Sequence, residues 1–294
     1  MNASPELMMA TIGVENLEVA ARAYCEGLGY VAVASTSISA EYAAIWGDQK
    51  ISGLRSQVLQ PASGTQIYIR LIETNKLVDP VRRPGWFAIE LCVKDSEKLY
   101  ERLSRSDYFS PFASPKALPF SDMIYPFQCL GANGEVLYLN ETRGNLPEID
   151  LPLARSDVDH IFIAVLSAEN LVQSSSFYED LLGISVTETH EIPYKTINRL
   201  FNLPLDQLHL LNTLGQGRTV FLEIDQYPKV ALETISKKVE EPAIQNGIVC
   251  LSFRLGQNQP DYADKFKIDD LPYAGRTMSH IKGPNEERIE LIAM

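Results

Sequence analysis

Two periods of apolar spacing alternate along this chain and divide it into units. Glu6 to Ile12 can run as a strand, Leu17 to Leu28 carries apolar residues at helical spacing, and Ile67 to Ile72 reads as a strand after a loop. Ala88 to Val93 (AIELCV) opens the order again, with a helix over Asp95–Leu103 and strands around Ile124–Leu130 and Val136–Leu139. A third unit has strand His160–Val165, helix Leu171–Leu182 and strands near Leu208–Asn212 and Thr219–Ile224. Cys250–Leu255 opens a fourth. Its helix reads as short or irregular, because Pro260 and polar residues dominate Gln257–Lys267, and its last strands run around Met278–Ile281 and Arg288–Ile292. The unit is strand, helix, then three strands. Further helices are predicted between the second and third strands of the first and third units, over Ala40–Gly47 and Tyr194–Leu203.

The halves also match each other at an offset of about 150 residues. Leu17–Tyr30 (LEVAARAYCEGLGY) falls on Leu171–Ile184 (LVQSSSFYEDLLGI), Gly64–Ile72 on Gly217–Asp225, and Gly134–Leu139 on Glu286–Leu291. Pro147 and Pro152 interrupt any regular element in Asn145–Arg155, which is the expected linker between a domain at 1–146 and another at 155–294.

Composition narrows the function classes. With 294 residues the chain can form two domains, and a net charge of -12 leaves no basic stripe for a nucleic acid or an anionic membrane surface. Met1–Leu7 has neither a basic segment nor a signal-length apolar run, and no stretch approaches a membrane span, so a cytoplasmic location is expected. Cys25, Cys92, Cys129 and Cys250 lack a CxxC spacing, and GxGxxG, GxxxxGK[ST] and GxSxG are absent. Zinc knuckles, disulfide frameworks and the best-marked nucleotide and hydrolase loops are therefore not indicated.

Four strand–helix–strand–strand–strand units, with HIFIAV opening the third and GPNEERIELI closing the fourth, resemble the vicinal oxygen chelate superfamily of glyoxalases, extradiol dioxygenases and bleomycin-binding proteins. The resemblance implies an α+β fold of four tandem βαβββ modules, forming two half-open mixed-sheet barrels with helices outside. It also implies a divalent metal (Zn, Ni, Mn or Fe) held by first and last strands of paired modules.

Strand alternation then selects the residues at the implied positions. In HIFIAV, His160, Phe162 and Ala164 face the hollow and Ile161, Ile163 and Val165 face helices; in TVFLEI, Phe221 and Glu223 face inward; in RIELI, Arg288, Glu290 and Ile292 do. In CLSFRL the inward set is Cys250, Ser252 and Arg254, with Cys250 where the family has histidine. The implied metal ligands are thus His160, Glu223, Glu290 and Cys250, with Glu223 or Glu290 as catalytic base. Arg254, Arg288, Phe162, Phe221 and His280 are the residues expected to meet substrate. In the first half the positions fall on Glu6, Arg70, Ala88 and Tyr138, where Arg70 is the ready partner of Glu6 and no metal is expected. Its concave face also carries Tyr68 and Glu90.

Each residue has a plainer reading. His160 can be a core histidine, Glu290 can pair with Arg254 or Arg288, Glu223 with Arg218 or Lys229, and Cys250 can be an apolar filler. Tyr194, Leu200, Phe201 and Leu203 can be core or a lid. Two functions follow: a metal-assisted lyase or isomerase acting on a small carbonyl, diol or aromatic substrate, or a metal-free small-molecule binder of the bleomycin-resistance type. A dioxygenase with altered ligands is a third, disfavoured by the missing second histidine. The partners expected are a small molecule and, left open, a second copy of the chain.

Overall fold

The structure is a computed structural model that describes residues 5–74, 83–118, 121–144, 146–147, 149–229, 244–256 and 266–293. The first module comprises β1 (Glu6–Val14), α1 (Leu17–Arg22) with a π-helical turn over Ala23–Gly27, β2 (Tyr30–Ser37), α2 (Ala40–Ile45), β3 (Arg55–Pro61) and β4 (Tyr68–Glu73). The second has β5 (Gly85–Val93), α3 (Ser96–Leu103), β6 (Ser110–Pro111), β7 (Ile124–Leu130) and β8 (Val136–Thr142). The third has β9 (Val158–Ala168), α4 (Leu171–Leu182), β10 (Ser185–Pro193), α5 (Lys195–Leu200), β11 (Leu208–Gln216) and β12 (Thr219–Gln226). The fourth has β13 (Gly247–Arg254), β14 (Phe266–Ile268), β15 (Arg276–Lys282) and β16 (Arg288–Ile292). The irregular helix expected over Gln257–Lys267 falls mostly outside the described residues.

Local chemistry explains the helix starts. Asn16, Asp95 and Asn170 sit in extended conformation, and each side chain accepts a hydrogen bond from the amide three residues on, at Val19, Lys98 and Gln173. Gly183 closes α4 in the left-handed region.

The sheets do not follow a division at 146 and 155. One eight-stranded sheet runs β14-β15-β16-β13-β1-β4-β3-β2, joining the first and fourth modules, and the other runs β10-β11-β12-β9-β5-β8-β7-β6, joining the second and third. The seams are antiparallel, β1 on β13 and β5 on β9, while first and last strands within a module pair in parallel, as β1–β4 and β9–β12 do. The first seam requires a glycine: a Cβ on Gly13 would lie 1.7 Å from the Gln245 carbonyl oxygen. Gly13→Ala is expected to destabilise the protein by about 3 kcal/mol in urea denaturation, because backbone must move to admit one methyl.

The largest core is continuous across both sheets, taking Leu17 of α1, Tyr24 of the π-helical turn, Leu99 of α3 and Tyr178 of α4 together with Ile89, Leu222, Phe253 and Leu291 from the strands. α1, α3 and α4 therefore pack outside the two hollows, whereas α2 packs within the first and α5 within the second. Each hollow has a smaller cluster of its own, around Met9, Tyr42, Trp46 and Tyr273 in the first sheet and around Phe87, Tyr138, Phe162 and Tyr194 in the second.

Two buried tyrosine–glutamate contacts tie neighbouring modules together. Tyr24 Oη donates to Glu135 Oε1 at 3.0 Å, and Tyr178 Oη to Glu287 Oε1 at 2.9 Å. In both cases the carboxylate also accepts a loop amide, from Asn133 and Asn285. Tyr178→Phe is expected to cost about 1–2 kcal/mol of unfolding free energy, since it strips a donor from a buried carboxyl. Tyr24→Phe is expected to cost about the same.

Candidate functional site

In the hollow of the first sheet, the strand positions the resemblance assigns to a metal hold an ion pair. Thr11 stands opposite Arg70, and Ser252 opposite Glu290, on parallel strand pairs. Arg70 (4% exposed) and Glu290 (0%) meet at 3.1 Å. Glu290 also accepts from Ser252 Oγ at 2.6 Å, Tyr273 Oη at 2.9 Å, Trp46 Nε1 at 2.9 Å, and the Tyr42 hydroxyl. Arg70 donates Nε to Thr11 at 3.0 Å and a terminal nitrogen to Tyr273 at 2.7 Å, with its guanidinium 4.8 Å from the Tyr42 ring centre. Burial alone would raise the Glu290 carboxyl, but the Arg70 charge and the donors from Ser252, Tyr42 and Trp46 hold it below its ordinary value.

This network corrects several expectations. The partner of Glu290 is Arg70, whereas Glu6 pairs with Arg254 at 2.9 Å near the surface. Arg288 lies over Trp46 and 3.6 Å from Asp48, and His280 stacks on Trp46 at 5.3 Å, with burial lowering its imidazole to about 4. Cys250 is buried in the same cluster, its thiol raised well above the ordinary value by burial and then by the Glu290 charge. A guanidinium occupies the centre of the ring of donors, so this hollow does not fit a divalent cation.

The hollow of the second sheet is different. A cavity of about 800 Å³ is lined by Glu90, Asn140, Phe162, Ile163, Val220 and Glu223, with His190 and Arg218 also on its wall. Asn140 donates to Glu90. Burial raises Glu90 well above its ordinary value, and the neighbouring Glu223 charge raises it further. Glu223 is pushed up to about 7 by burial. Asp225 follows on the same strand face, raised well above its ordinary value by burial and then by Glu223. The Asp225 carboxyl faces that of Glu223 and the Tyr194 hydroxyl, and Asn140 Oδ1 is without a hydrogen-bond partner. Tyr194 immediately precedes α5 and its hydroxyl bonds that of Tyr138, and Tyr194, Ile197 and Phe201 belong to the apolar cluster of this hollow. The helix over Tyr194–Leu203 therefore contributes packing to the hollow; the Leu200 side chain lies outside the described residues.

His160, Glu223, Glu290 and Cys250 do not converge. The first two lie on β9 and β12 of one sheet and the last two on β16 and β13 of the other. Alternation also fails on β9, where Glu90 pairs with Ile163 and Leu91 with Ile161, so Phe162 is an extra residue and the phase shifts beside it. Ile163 then lines the cavity and Ala164 joins the shared core. A second irregularity leaves Phe221 between the pairs Leu214–Leu222 and Gly215–Val220, which puts Phe221 in the shared core and Val220 on the cavity. Ala88 is apolar, and the Tyr138 hydroxyl is held by Tyr194, so Glu223 has no second ligand at the implied metal position. Glu90, Glu223 and Asp225 do not each bring an oxygen within 4.8 Å of the other two; among the described His, Cys, Asp and Glu residues only Cys92, Asp159 and His160 meet that spacing. The implied metal arrangement is therefore absent from both hollows. Cys92 near the end of β5 and Asp159 and His160 at the start of β9 instead bring three ligand atoms to that spacing.

Asp225 and Asn140 were within reach of sequence reasoning, since they stand two residues beyond Glu223 and Tyr138 on strands already assigned.

The comparisons agree with this architecture. The structure is similar to that of glyoxalase I from Zea mays, with a TM-score of 0.63 at 13% identity over 99% of this chain and 92% of that one. A variant of the same enzyme gives a TM-score of 0.65 at 13% identity over 99% and 94%. No protein-family model matches the sequence, and no curated protein matches it. At these identities the likeness establishes the fold, which is that of the vicinal oxygen chelate proteins. No helix among the described residues is long and apolar enough to cross a membrane.

Proposed function

We propose that the cavity of the second sheet is the active site of a lyase or isomerase that moves a proton on a small oxygenated molecule. One observation carries this reading: two carboxyl groups of different proton affinity, Glu90 and Glu223, line the same cavity. Glu223, titrating near 7, is a base matched to neutral pH. Glu90, raised well above its ordinary value by burial and then by the Glu223 charge, is the carboxyl placed to donate a hydrogen bond to the substrate oxygen on which negative charge develops. Asn140 orients Glu90, and Phe162, Ile163 and Val220 keep the carbon skeleton dry.

The test is solvent deuterium exchange into a panel of small α-hydroxy ketones, 1,2-diketones and catechols, followed by proton NMR. Exchange or isomerisation of at least one compound, rising with pH through about 7, supports proton transfer. The loss of the implied metal ligands favours a second reading, a metal-free binder. Compounds that raise the melting temperature but neither exchange nor react would establish that reading instead.

A further inference from the structure

Outside the cavity, Cys92 on β5 and the pair Asp159–His160 on β9 bring a thiol, a carboxylate and an imidazole together where the two strands adjoin. Their ligand atoms all lie within 4.8 Å of one another. His160 Nδ1 stands 3.8 Å from Cys92 Sγ and 3.1 Å from Asp159 Oδ1. A ring nitrogen has one lone pair or one hydrogen in that direction, so it cannot serve both neighbours by ordinary hydrogen bonds. Three donors around a shared point can serve one ion. In tetrahedral zinc, with bonds of ~2.0–2.3 Å, neighbouring ligand atoms stand roughly 3.3–3.6 Å apart, close to the spacings found here.

The surroundings match a metal's outer shell. Asp159 Oδ1 accepts from Ser63 Oγ at 2.6 Å and Thr65 Oγ1 at 2.9 Å, both in the β3–β4 turn of the other sheet, while Oδ2 accepts the Arg155 amide at 2.8 Å. A metal on Oδ1 takes the place of one of these two hydroxyl donors, and because Ser63 Oγ and Thr65 Oγ1 stand 2.9 Å apart the displaced hydroxyl keeps a partner. The His160 backbone amide is directed at Cys92 sulphur. Cys92 and Asp159 are buried and His160 is partly open, which leaves a solvent-side position for a fourth ligand. The Arg155 side chain, 3.8 Å from Asp159, is the opposing charge nearby and is largely exposed.

We propose that Cys92, Asp159 and His160 form a site for one zinc ion, with water as fourth ligand, that clamps β5 and β9 to the β3–β4 turn. The donor set is one that zinc accepts, whereas magnesium and calcium prefer oxygen alone. Binding replaces the thiol proton, which is released to solvent, and the affinity therefore rises with pH. This site is independent of the proposed chemistry in the cavity.

The test uses the full chain, stripped with a chelator and titrated with cobalt(II), then zinc. One equivalent of cobalt is expected to give a thiolate-to-metal absorption band that zinc displaces, and saturating zinc is expected to raise the melting temperature by several degrees. Cys92→Ser and His160→Ala are expected to abolish the band, whereas Glu223→Gln retains it. A metal-free Cys92→Ser protein that melts like the stripped wild type establishes that folding is intact. The proposal is overturned if cobalt gives no thiolate band, or if the band survives Cys92→Ser and so comes from another of the four cysteines.

Discussion

Replacing Arg70 with alanine is expected to cost about 3–5 kcal/mol at pH 7, more than the loss of either buried tyrosine hydroxyl. The reason is Glu290, which is left as a fully buried carboxylate with neutral donors only. Burial then dominates, and the carboxyl takes up a proton at a pH where the native protein keeps it charged. Urea denaturation at pH 7 and pH 4 checks this, and the loss should shrink at the lower pH. Arg70→Met combined with Glu290→Gln should recover more than half of the loss, because no unpaired charge remains. A cost below about 1 kcal/mol for Arg70→Ala, or no recovery in the double variant, would show that the pair is not what holds this hollow together.

Glu223→Gln is expected to lower the rate of proton transfer by about 10²–10⁴-fold, with little change in substrate affinity. The same change should stabilise the fold at pH 8. The folded-state value of Glu223 is raised from 4.5 to about 7, so its contribution is fully present below the unfolded value and is lost as pH rises through the folded one. A neutral amide avoids that loss, and a gain of about 1–2 kcal/mol at pH 8, vanishing near pH 4, is expected for a group that partly faces the cavity. Glu290 has the opposite sign. Its value is depressed, so its contribution is present above the unfolded value near 4.5 and is lost as acid protonates it. A Glu223→Gln protein that keeps full activity would remove Glu223 from the chemistry, whatever its stability.

Sequence patterning succeeds where one period runs unbroken. Ile289 and Leu291, and Leu251 and Phe253, alternate with Glu290, Cys250 and Ser252, and these strands present the expected faces. It fails beside Phe162 and Phe221, because one extra residue in a strand reverses the side chains on one side of it, after Phe162 on β9 and at Val220–Phe221 on β12, and leaves no mark in composition. The pairing of modules is also hidden. Alternation tells which face of a strand is covered but not which strand lies beside it, and the β1–β13 seam joins segments from opposite ends of the described chain. With the partners misassigned, Arg70 is set against Glu6, and the four implied ligands are drawn from two hollows that do not communicate through a shared strand. Glu90 is legible as a concave-face residue, but its relation to Glu223 is not, since it depends on β5 and β9 being neighbours.

The seam between β1 and β13 also sets an order on biosynthesis. The second and third modules can complete their sheet once β12 has left the ribosome, whereas β1 carries an unpaired edge until Gly247–Arg254 has been made. For most of translation the nascent chain thus presents an open strand template beside a finished half-molecule, and that interval is when a chaperone, or a wrong neighbour, has its opportunity.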